Sequence, residues 1–558
     1  MRIRKTEILK SLIRITVICI LLMFSSSALK SQVPFQRTAG LSGHESVYSV
    51  LPVSDGYLLT GLINSAGAGE MDILLVKTYP DFSTEWSKTF GGDQNDYPHS
   101  IISTSDGGYL IVGRTESFGE GEEDVLLIKL NAACDIEWEK TYGNDKIERG
   151  YCVLETGSGD FVIGGQTQSG KGGLVFEVDP DGNLNWSKTY GFHESSFRCY
   201  NIVRSDNGNY VFDGPYESPG ESFNYMLMEI DPDGNLQWAK TYNASGDEHT
   251  SDVTLVTGDG FYILGRSTTF SNGSWDLHLI KTDLNGDFLW AKNYASAEDM
   301  WASQMMLTSD NELLLTCHTD LFDRLNNDII ILKCDLDGNL IWGKSYGGTG
   351  LDNQHFGNHR ILMEVHDDLF TLVGKTSSFG QGLEDIYYIG FDKDGKSACN
   401  EYPYPITVTD HTLPTENVAL PVEAFAQGIN TPTLITGQVD LIDSLLCPAE
   451  QPPIALFSAS NNNICIGGCI DFIDESLNDP NQWEWSFEGA VPSSSSDPSP
   501  PGICYPDTGC FDVQLIVHND GGSDTNIFQD YICVYEVPLF SLGEDTTLCY
   551  GDSILLEP

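Results

Sequence analysis

The chain has 558 residues, 29 basic against 81 acidic side chains, a formal net charge of −52 and fourteen cysteines. A charge so negative argues against a nucleic-acid backbone or an anionic membrane surface as partner. The length calls for several domains, since one domain typically spans roughly 100–200 residues.

Arg2, Arg4, Lys5, Lys10 and Arg14 precede an apolar run at residues 15–24 and then Ser25-Ser26-Ser27-Ala28. That order of charged, apolar and small residues is the pattern of a secretory signal peptide, residues 1–31, cut between Ala28 and Gln32. The apolar run is about half of the roughly 20 residues that span a bilayer, so no membrane insertion is expected once the signal is removed. Secretion or display at the cell surface follows as the expected location. Thirteen cysteines remain after Cys19, some of them expected to pair after export.

The dominant feature is a repeat. Trp86, Trp138, Trp186, Trp238, Trp290 and Trp342 are separated by 52, 48, 52, 52 and 52 residues. The same phrase recurs at each, as in Trp138-Glu-Lys-Thr-Tyr-Gly and Trp186-Ser-Lys-Thr-Tyr-Gly. Between tryptophans come a short β-run, an Asp/Gly turn, a second run, a Gly-rich loop and a third run that opens on Asp72, Asp124, Asp276, Asp328 or Asp385. Four short runs bounded by turns make a four-stranded antiparallel blade, and a ring of blades buries both faces of each. Third runs at residues 72–77, 124–129, 174–178, 225–230, 276–281, 328–333 and 385–391 set the expectation of a seven-bladed β-propeller over residues 32–398. The seventh lacks a tryptophan strand. Phe35-Gln-Arg-Thr-Ala-Gly40, with the same Thr-x-Gly ending, is expected to supply it and close the ring.

The tryptophans are read as inter-blade packing and the repeated aspartates as loop caps bonded within their own blade. Asp-x-Asp-Gly turns, such as Asp335-Leu-Asp-Gly338, resemble fragments of a calcium loop but lack its later ligands and closing glutamate, so they read as hairpin turns. No cofactor is implied, and calcium on the acidic surface is the one alternative carried forward. His355 and His359, four apart in a loop before a strand, read as solvent-facing rather than as a metal pair.

Residues 399–450 change to Pro/Thr-rich text and read as a connector with a little strand, clasped at its ends by Cys399 and Cys447. Cys465, Cys469, Cys504 and Cys510 read as disulfide partners in preference to zinc ligands.

Residues 451–538 carry Ile470-Asp-Phe-Ile-Asp-Glu-Ser476, Trp483-Glu-Trp-Ser-Phe487 and Tyr505 followed by Val513-Gln-Leu-Ile-Val517. These residues resemble the PKD family, which implies an immunoglobulin-like β-sandwich with Trp485, Phe487 and Tyr505 in its core. None of the periodic tryptophans is followed by the Asp of WD repeats, and the turns lack the spacing of the sialidase Asp-box. It is most similar to repeats of secreted proteins of gliding bacteria. Residues 539–558 resemble the first strands of a further immunoglobulin-like module, of the kind that precedes C-terminal signals of gliding-motility-associated proteins. That likeness implies a truncated module and export by the type IX route.

No Gly-x-Ser-x-Gly, His-Glu-x-x-His or phosphate-cradling Gly-Lys-Ser/Thr occurs. The resulting expectation is an all-β, non-catalytic surface protein that binds an extracellular polysaccharide or a surface protein. The alternatives are an exported polysaccharide-degrading enzyme and a structural part of a surface or motility apparatus.

Overall fold

Alternation of apolar and polar residues, interrupted by Asp/Gly turns every six to eight residues, forces each repeat into short antiparallel strands rather than helices. A computed structural model describes residues 34–446 and 453–536, apart from 169–171, 192–195, 218–221, 244–245, 257, 270–274, 321–327, 355–359, 367–368, 479 and 520–521. Residues 1–31, read above as a signal peptide, the histidines at 355 and 359, Cys447 and residues 539–558 lie outside the described residues. The chain divides into two units, residues 1–446 and 447–558.

The first unit is all-β. Its sheets follow one another along the chain as five- and six-stranded antiparallel sheets. The first contains Glu45–Val53, Gly56–Ile63, Asp72–Thr78 and Thr84–Gly91, in that spatial order. Successive sheets pack through their innermost strands, in a propeller-like arrangement. Third strands are buried along their whole length, as Asp124–Leu130 shows, because they are covered on both faces. That is why they read as continuous Val/Ile/Leu runs rather than alternating ones.

The expected closure strand is in place. Phe35–Gly40 pairs antiparallel with Asp385–Asp392, Thr38 opposite Tyr387. A backbone bond from Val50 N to Arg360 O (2.7 Å) ties the last sheet to the first.

Residues 399–446 depart from the expectation of a connector. They lace a further, outermost strand onto each sheet in turn, so the blades carry five strands where four were expected. Glu401–Pro403 pairs with Leu340–Tyr346, and Thr407–His411 with Phe288–Ala295. Thr415–Asn417, Val422–Ala424 and Gly428–Asn430 take the next three sheets in reverse chain order. Ile435–Gln438 and Ile442–Leu445 finish on the first sheet and on Phe35–Gly40. The physical reason is edge protection: each tryptophan strand would otherwise present an unpaired row of amides and carbonyls to water. Between these strands Leu413, Leu420 and Leu434 drop into the cores, 3%, 7% and 7% exposed. Ile406 and Leu441 pack partly buried in the same way.

The second unit has a five-stranded sheet and two two-stranded sheets. Gln482–Phe487 pairs with Gly509–Asn519, and Asn463–Cys465 runs parallel to the end of Gly522–Tyr535. Trp485, Phe487 and Tyr505 are buried in one cluster with Phe457, Phe472 and Val513. Trp485 Nε1 donates to Asp497 O at 2.9 Å, which satisfies its one polar atom. Disulfides join Cys469 to Cys504 and Cys510 to Cys533, and they fit an oxidising, extracellular environment. Cys465 is an exposed free thiol. In the first unit Cys399 is disulfide-bonded, and Cys134, Cys152, Cys199, Cys317 and Cys334 are free and buried. Among the described residues no helix is long and apolar enough to cross a membrane.

Candidate functional site

The periodic phrase turns out to be a clasp between neighbouring sheets. Trp138 lies against Gly182 of the next sheet's turn and donates to Pro180 O (3.0 Å), Lys140 Nζ reaches Asp181 O (2.7 Å), and Tyr142 Oη donates to Gly182 O (2.6 Å). Lys188 and Tyr190 repeat their bonds on Asp233 O and Gly234 O, both at 2.7 Å, and the Trp186 ring lies against Gly234. Gly234 is required twice over: its φ is +72°, and a Cβ there would stand 2.8 Å from the Trp186 ring. Trp238 and Trp290 meet Gly286 and Gly338 likewise, and Trp342 Nε1 donates to Lys393 O at 2.9 Å. Trp86 has Lys88 Nζ 5.2 Å from its ring.

The repeated aspartates hold loops. Asp72 accepts from Ala68 N and Gly69 N (2.8 and 3.0 Å), Asp124 from Glu120 N and Gly121 N (2.9 and 3.1 Å), and Asp385 from Gln381 N and Gly382 N (3.0 and 2.9 Å). Asp276 instead takes Asn293 Nδ2 at 2.9 Å. Asp328 Oδ1 is buried with no donor among the described residues, and burial beside Asp352 pushes its carboxyl up to about 6. Each aspartate faces a second carboxylate at the start of the next innermost strand: Glu45 near Asp385, Asp96 near Asp72, Glu148 near Asp124, Asp299 near Asp276. The glycine ending the tryptophan phrase makes room for this pair, since a Cβ on Gly91 would lie 1.8 Å from Asp72 Oδ1.

A second set of residues follows the repeat in position but not in identity: Tyr48, His99, Tyr151, Tyr200, Ser251 and Ser303 stand 51, 52, 49, 51 and 52 residues apart. In six of the innermost strands a register shift bulges one residue out, at Tyr48, His99, Tyr151, Ser251, Ser303 and Val365. A bulge re-aims a side chain. Here the bulged rings, with Tyr200, meet across sheets: Tyr48 to His99 at 5.8 Å, His99 to Tyr151 at 5.0 Å, and Tyr151 to Tyr200 at 5.3 Å. Ser251 donates to Ala302 O at 3.0 Å. One arc of the channel is therefore aromatic and another is small and polar.

Next to the bulges, at the end where the innermost strands begin, lies a layer of cations and further rings. Tyr97 pairs in register with Arg114, Arg149 with Gln166, His249 with Arg266 and Trp301 with His318. Glu123 bridges Arg114 (2.9 Å) and Arg149 (2.7 Å), which keeps its carboxyl below the usual range against the opposing effect of burial. Arg198 donates to Tyr200 Oη at 3.0 Å. Arg266 lies 4.6 Å from the Trp275 ring and 3.3 Å from the Trp301 ring. Burial, together with Arg266 and Arg198, holds His249 down at about 4, so it is neutral at physiological pH.

Toward the other end the innermost strands enclose a cavity of about 530 Å³, with Val50, Asn201, Asp252, Gln304, Arg360 and Leu362 in its wall. Asp252 accepts from Met305 N (2.8 Å) and Asp213 from Asn201 N (3.1 Å). Burial pushes Asp252 up to about 8 and Asp213 up to about 7. Both therefore take up protons on folding, and that gain is lost as pH rises through 7 and 8. His249 and His278, held down near 4 and 3 in the folded chain, act oppositely, but only below their unfolded value of about 6.5. Between pH 6.5 and 8.5 stability is accordingly expected to fall with pH, and Asp252→Asn to flatten the fall. Urea midpoints across that range check this; a midpoint that rises with pH would refute it.

The four arginines fill two recurring places of the repeat: Arg114 and Arg266 stand three repeats apart in Gly-Arg-Thr and Gly-Arg-Ser, and Arg149 and Arg198 stand two residues before Tyr151 and Tyr200. Composition adds a further signal: after residue 31 the chain has eight arginines, and four of them meet in this layer.

No family model matches this chain, and no curated protein matches it. Among solved structures it is similar to a fungal alcohol oxidase described as having catalytic diversity among the AA5 family, in complex with copper. Identity is 10% over 78% of this chain and 99% of that one, with a TM-score of 0.29. It is also similar to a protein of unknown function from Dyadobacter fermentans, with 10% identity over 53% of this chain and 94% of that one and a TM-score of 0.34. Likenesses at that level carry no functional argument.

Proposed function

We propose that this chain is a secreted cell-surface binding protein. Its first unit is a closed seven-bladed β-propeller that takes an extracellular ligand at the channel end where the innermost strands begin. The second is an immunoglobulin-like PKD spacer. The observation that carries the reading is the aromatic arc of Tyr48, His99 and Tyr151, bulged from successive sheets, and the neighbouring Tyr200. Bulges placed at one depth on several strands re-aim each ring toward its neighbour, with Tyr48 and Tyr151 buried as support and His99 and Tyr200 partly exposed for contact on a rigid scaffold. Aromatic faces of this kind stack on sugar rings or on apolar side chains. The disulfides and the acidic surface suit an exported protein. The likeness to surface proteins of gliding bacteria supports display at the cell surface after type IX export.

Retention of the secreted chain on an array of bacterial, algal and host polysaccharides, with calcium and with chelator, tests the reading. Retention without released sugar is expected, weakened about tenfold by Tyr151→Ala, the worth of one well-packed ring. Sugar release would replace binding with catalysis, and no retention of any polymer would favour a structural role.

A further inference from the structure

The lysine of the Trp-x-Lys phrase bears on the one cofactor that the acidic turns suggest, calcium. In the turns at residues 179–183, 231–235 and 283–287 the leading carboxylate is spent inside the turn. Asp179 Oδ1 accepts from Asp181 N and Asn183 N (3.0 and 2.7 Å), and Asp231 and Asp283 do the same in theirs. Two oxygens are left for the preceding sheet, the carbonyl of the third residue and the side chain of the fifth. One ammonium collects both. Lys140 Nζ lies 2.7 Å from Asp181 O and 3.1 Å from Asn183 Oδ1, and Lys188 Nζ 2.7 Å from Asp233 O and 3.1 Å from Asn235 Oδ1. Lys240 Nζ lies 2.7 Å from Asn285 O and 2.5 Å from Asp287 Oδ1. The indole of the same phrase covers each ammonium, which stands 5.7, 5.6 and 5.6 Å from the ring centres of Trp138, Trp186 and Trp238. Where the fifth residue is itself a lysine, Lys396, the clasp lysine Lys344 turns to Glu401 instead (2.9 Å).

The turns between first and second strands are held in a similar way by a buried lysine of the third strand. Lys77 pairs with Asp55 and Lys129 with Asp106, both at 2.9 Å, Lys281 with Asp259, and Lys333 with Asp310 at 3.6 Å. In the third and fourth sheets a glutamate takes that lysine's place, and amides serve it. Glu229 accepts from Asn207 and Asn209 (2.7 and 2.5 Å), and Glu177, with Asp160 nearby, accepts from Asn185 (3.0 Å). Calcium takes about six to eight oxygens around it, whereas an ammonium has three donors and gains from an aromatic face. Two oxygens under an indole suit the ammonium and leave calcium short of ligands. We infer that the clasp lysines fill, with their own ammonium groups, the positions a calcium ion would take in these turns, and that the first unit keeps its acidic turns in place without a divalent cation.

The test follows thermal unfolding of the full chain in calcium and in chelator, for the parent and for Lys188→Met, Lys240→Met and Lys240→Arg. The parent midpoint is expected to differ by less than about 1 °C between the two conditions, whereas a calcium site filled by excess ion would raise it by several degrees. Each methionine variant strands two oxygens and is expected to melt about 2–5 °C earlier. Lys240→Arg, which keeps the charge, should lose less. Calcium is expected to restore neither methionine variant. A parent midpoint that rises with calcium, a methionine variant that melts unchanged, or a methionine variant that calcium restores would each overturn the inference. The parent comparison needs no substitution, so it decides the matter even where a variant fails to fold.

Discussion

A chain shortened to end after Ala398 is expected to lose most of its stability and to aggregate, although every tryptophan strand of the repeat is still present. The truncation removes the outermost strand from each sheet, so the second Lys/Thr rows of the tryptophan strands become open edges. It also removes Leu413, Leu420 and Leu434, whose burial contributes about 5–9 kcal/mol at roughly 1.5–3 kcal/mol each. Set against a net stability of typically about 5–15 kcal/mol, that loss alone is decisive. Hydrogen bonds across the seam go as well, among them Thr84 N and Oγ1 to Asp443 (2.7 and 2.8 Å) and Gln427 Nε2 to Ser187 Oγ (2.8 Å). Soluble yield and a urea titration of the truncated chain measure the effect. A truncated chain that unfolds at the same midpoint would show that residues 399–446 decorate the sheets without supporting them.

Removal of Phe35–Gly40 is expected to be nearly as damaging, because the strand is an interior one. It stands between Asp385–Asp392 on one side and Ile442–Leu445 on the other, and its loss exposes both. Its centre of gravity is Gln36, fully buried. The Gln36 carboxamide oxygen accepts from Tyr387 Oη (2.6 Å) and Asn400 Nδ2 (3.0 Å), while its Nε2 donates to Ser397 Oγ (2.8 Å) and to Cys399 O. One side chain thus joins the first strand, the last repeat and the start of the outer lacing, beside the disulfide-bonded Cys399. Gln36→Leu keeps the bulk and strands several buried polar partners, at about 1–3 kcal/mol for each one left unsatisfied. Thermal unfolding followed by tryptophan fluorescence should show the deletion melting earlier and over a broader range than the parent, with Gln36→Leu between them. A deletion variant that melts unchanged and as sharply would dispose of the closure argument.

Much of this architecture was legible because it repeats. The Trp-x-Lys-x-Tyr phrase recurs at 48 or 52 residues, and a contact that must be made at every junction leaves the same residues at every junction. Phe35–Gly40 could be matched to the seventh sheet for the same reason, since its Thr-x-Gly ending does there what Thr89, Phe90 and Gly91 do in the first. The outer lacing was missed for a reason that is also physical. Runs of three to five residues, such as Thr415–Asn417, have no periodicity of their own. Yet Ile406, Leu413, Leu420, Leu434 and Leu441 sit at multiples of seven, with Gln427 at the vacant place. Seven residues is the step from one sheet to the next along the rim, a spacing that has meaning only once the sheets are there.

The sequence by itself therefore determined what is local or repeated: an all-β chain, the repeat length, the turns, the clasp residues and the closing strand. Only the tertiary structure decided which of the recurring positions meet. The aromatic arc draws one bulged ring from each of several repeats, and the cationic layer draws Arg114, Arg149, Arg198 and Arg266 from four. Their positions recur at the repeat spacing while their identities change from repeat to repeat, so which rings and cations stand side by side depends on which sheets are neighbours. Their proximity comes from the arrangement of the sheets, and no segment of the chain carries it alone.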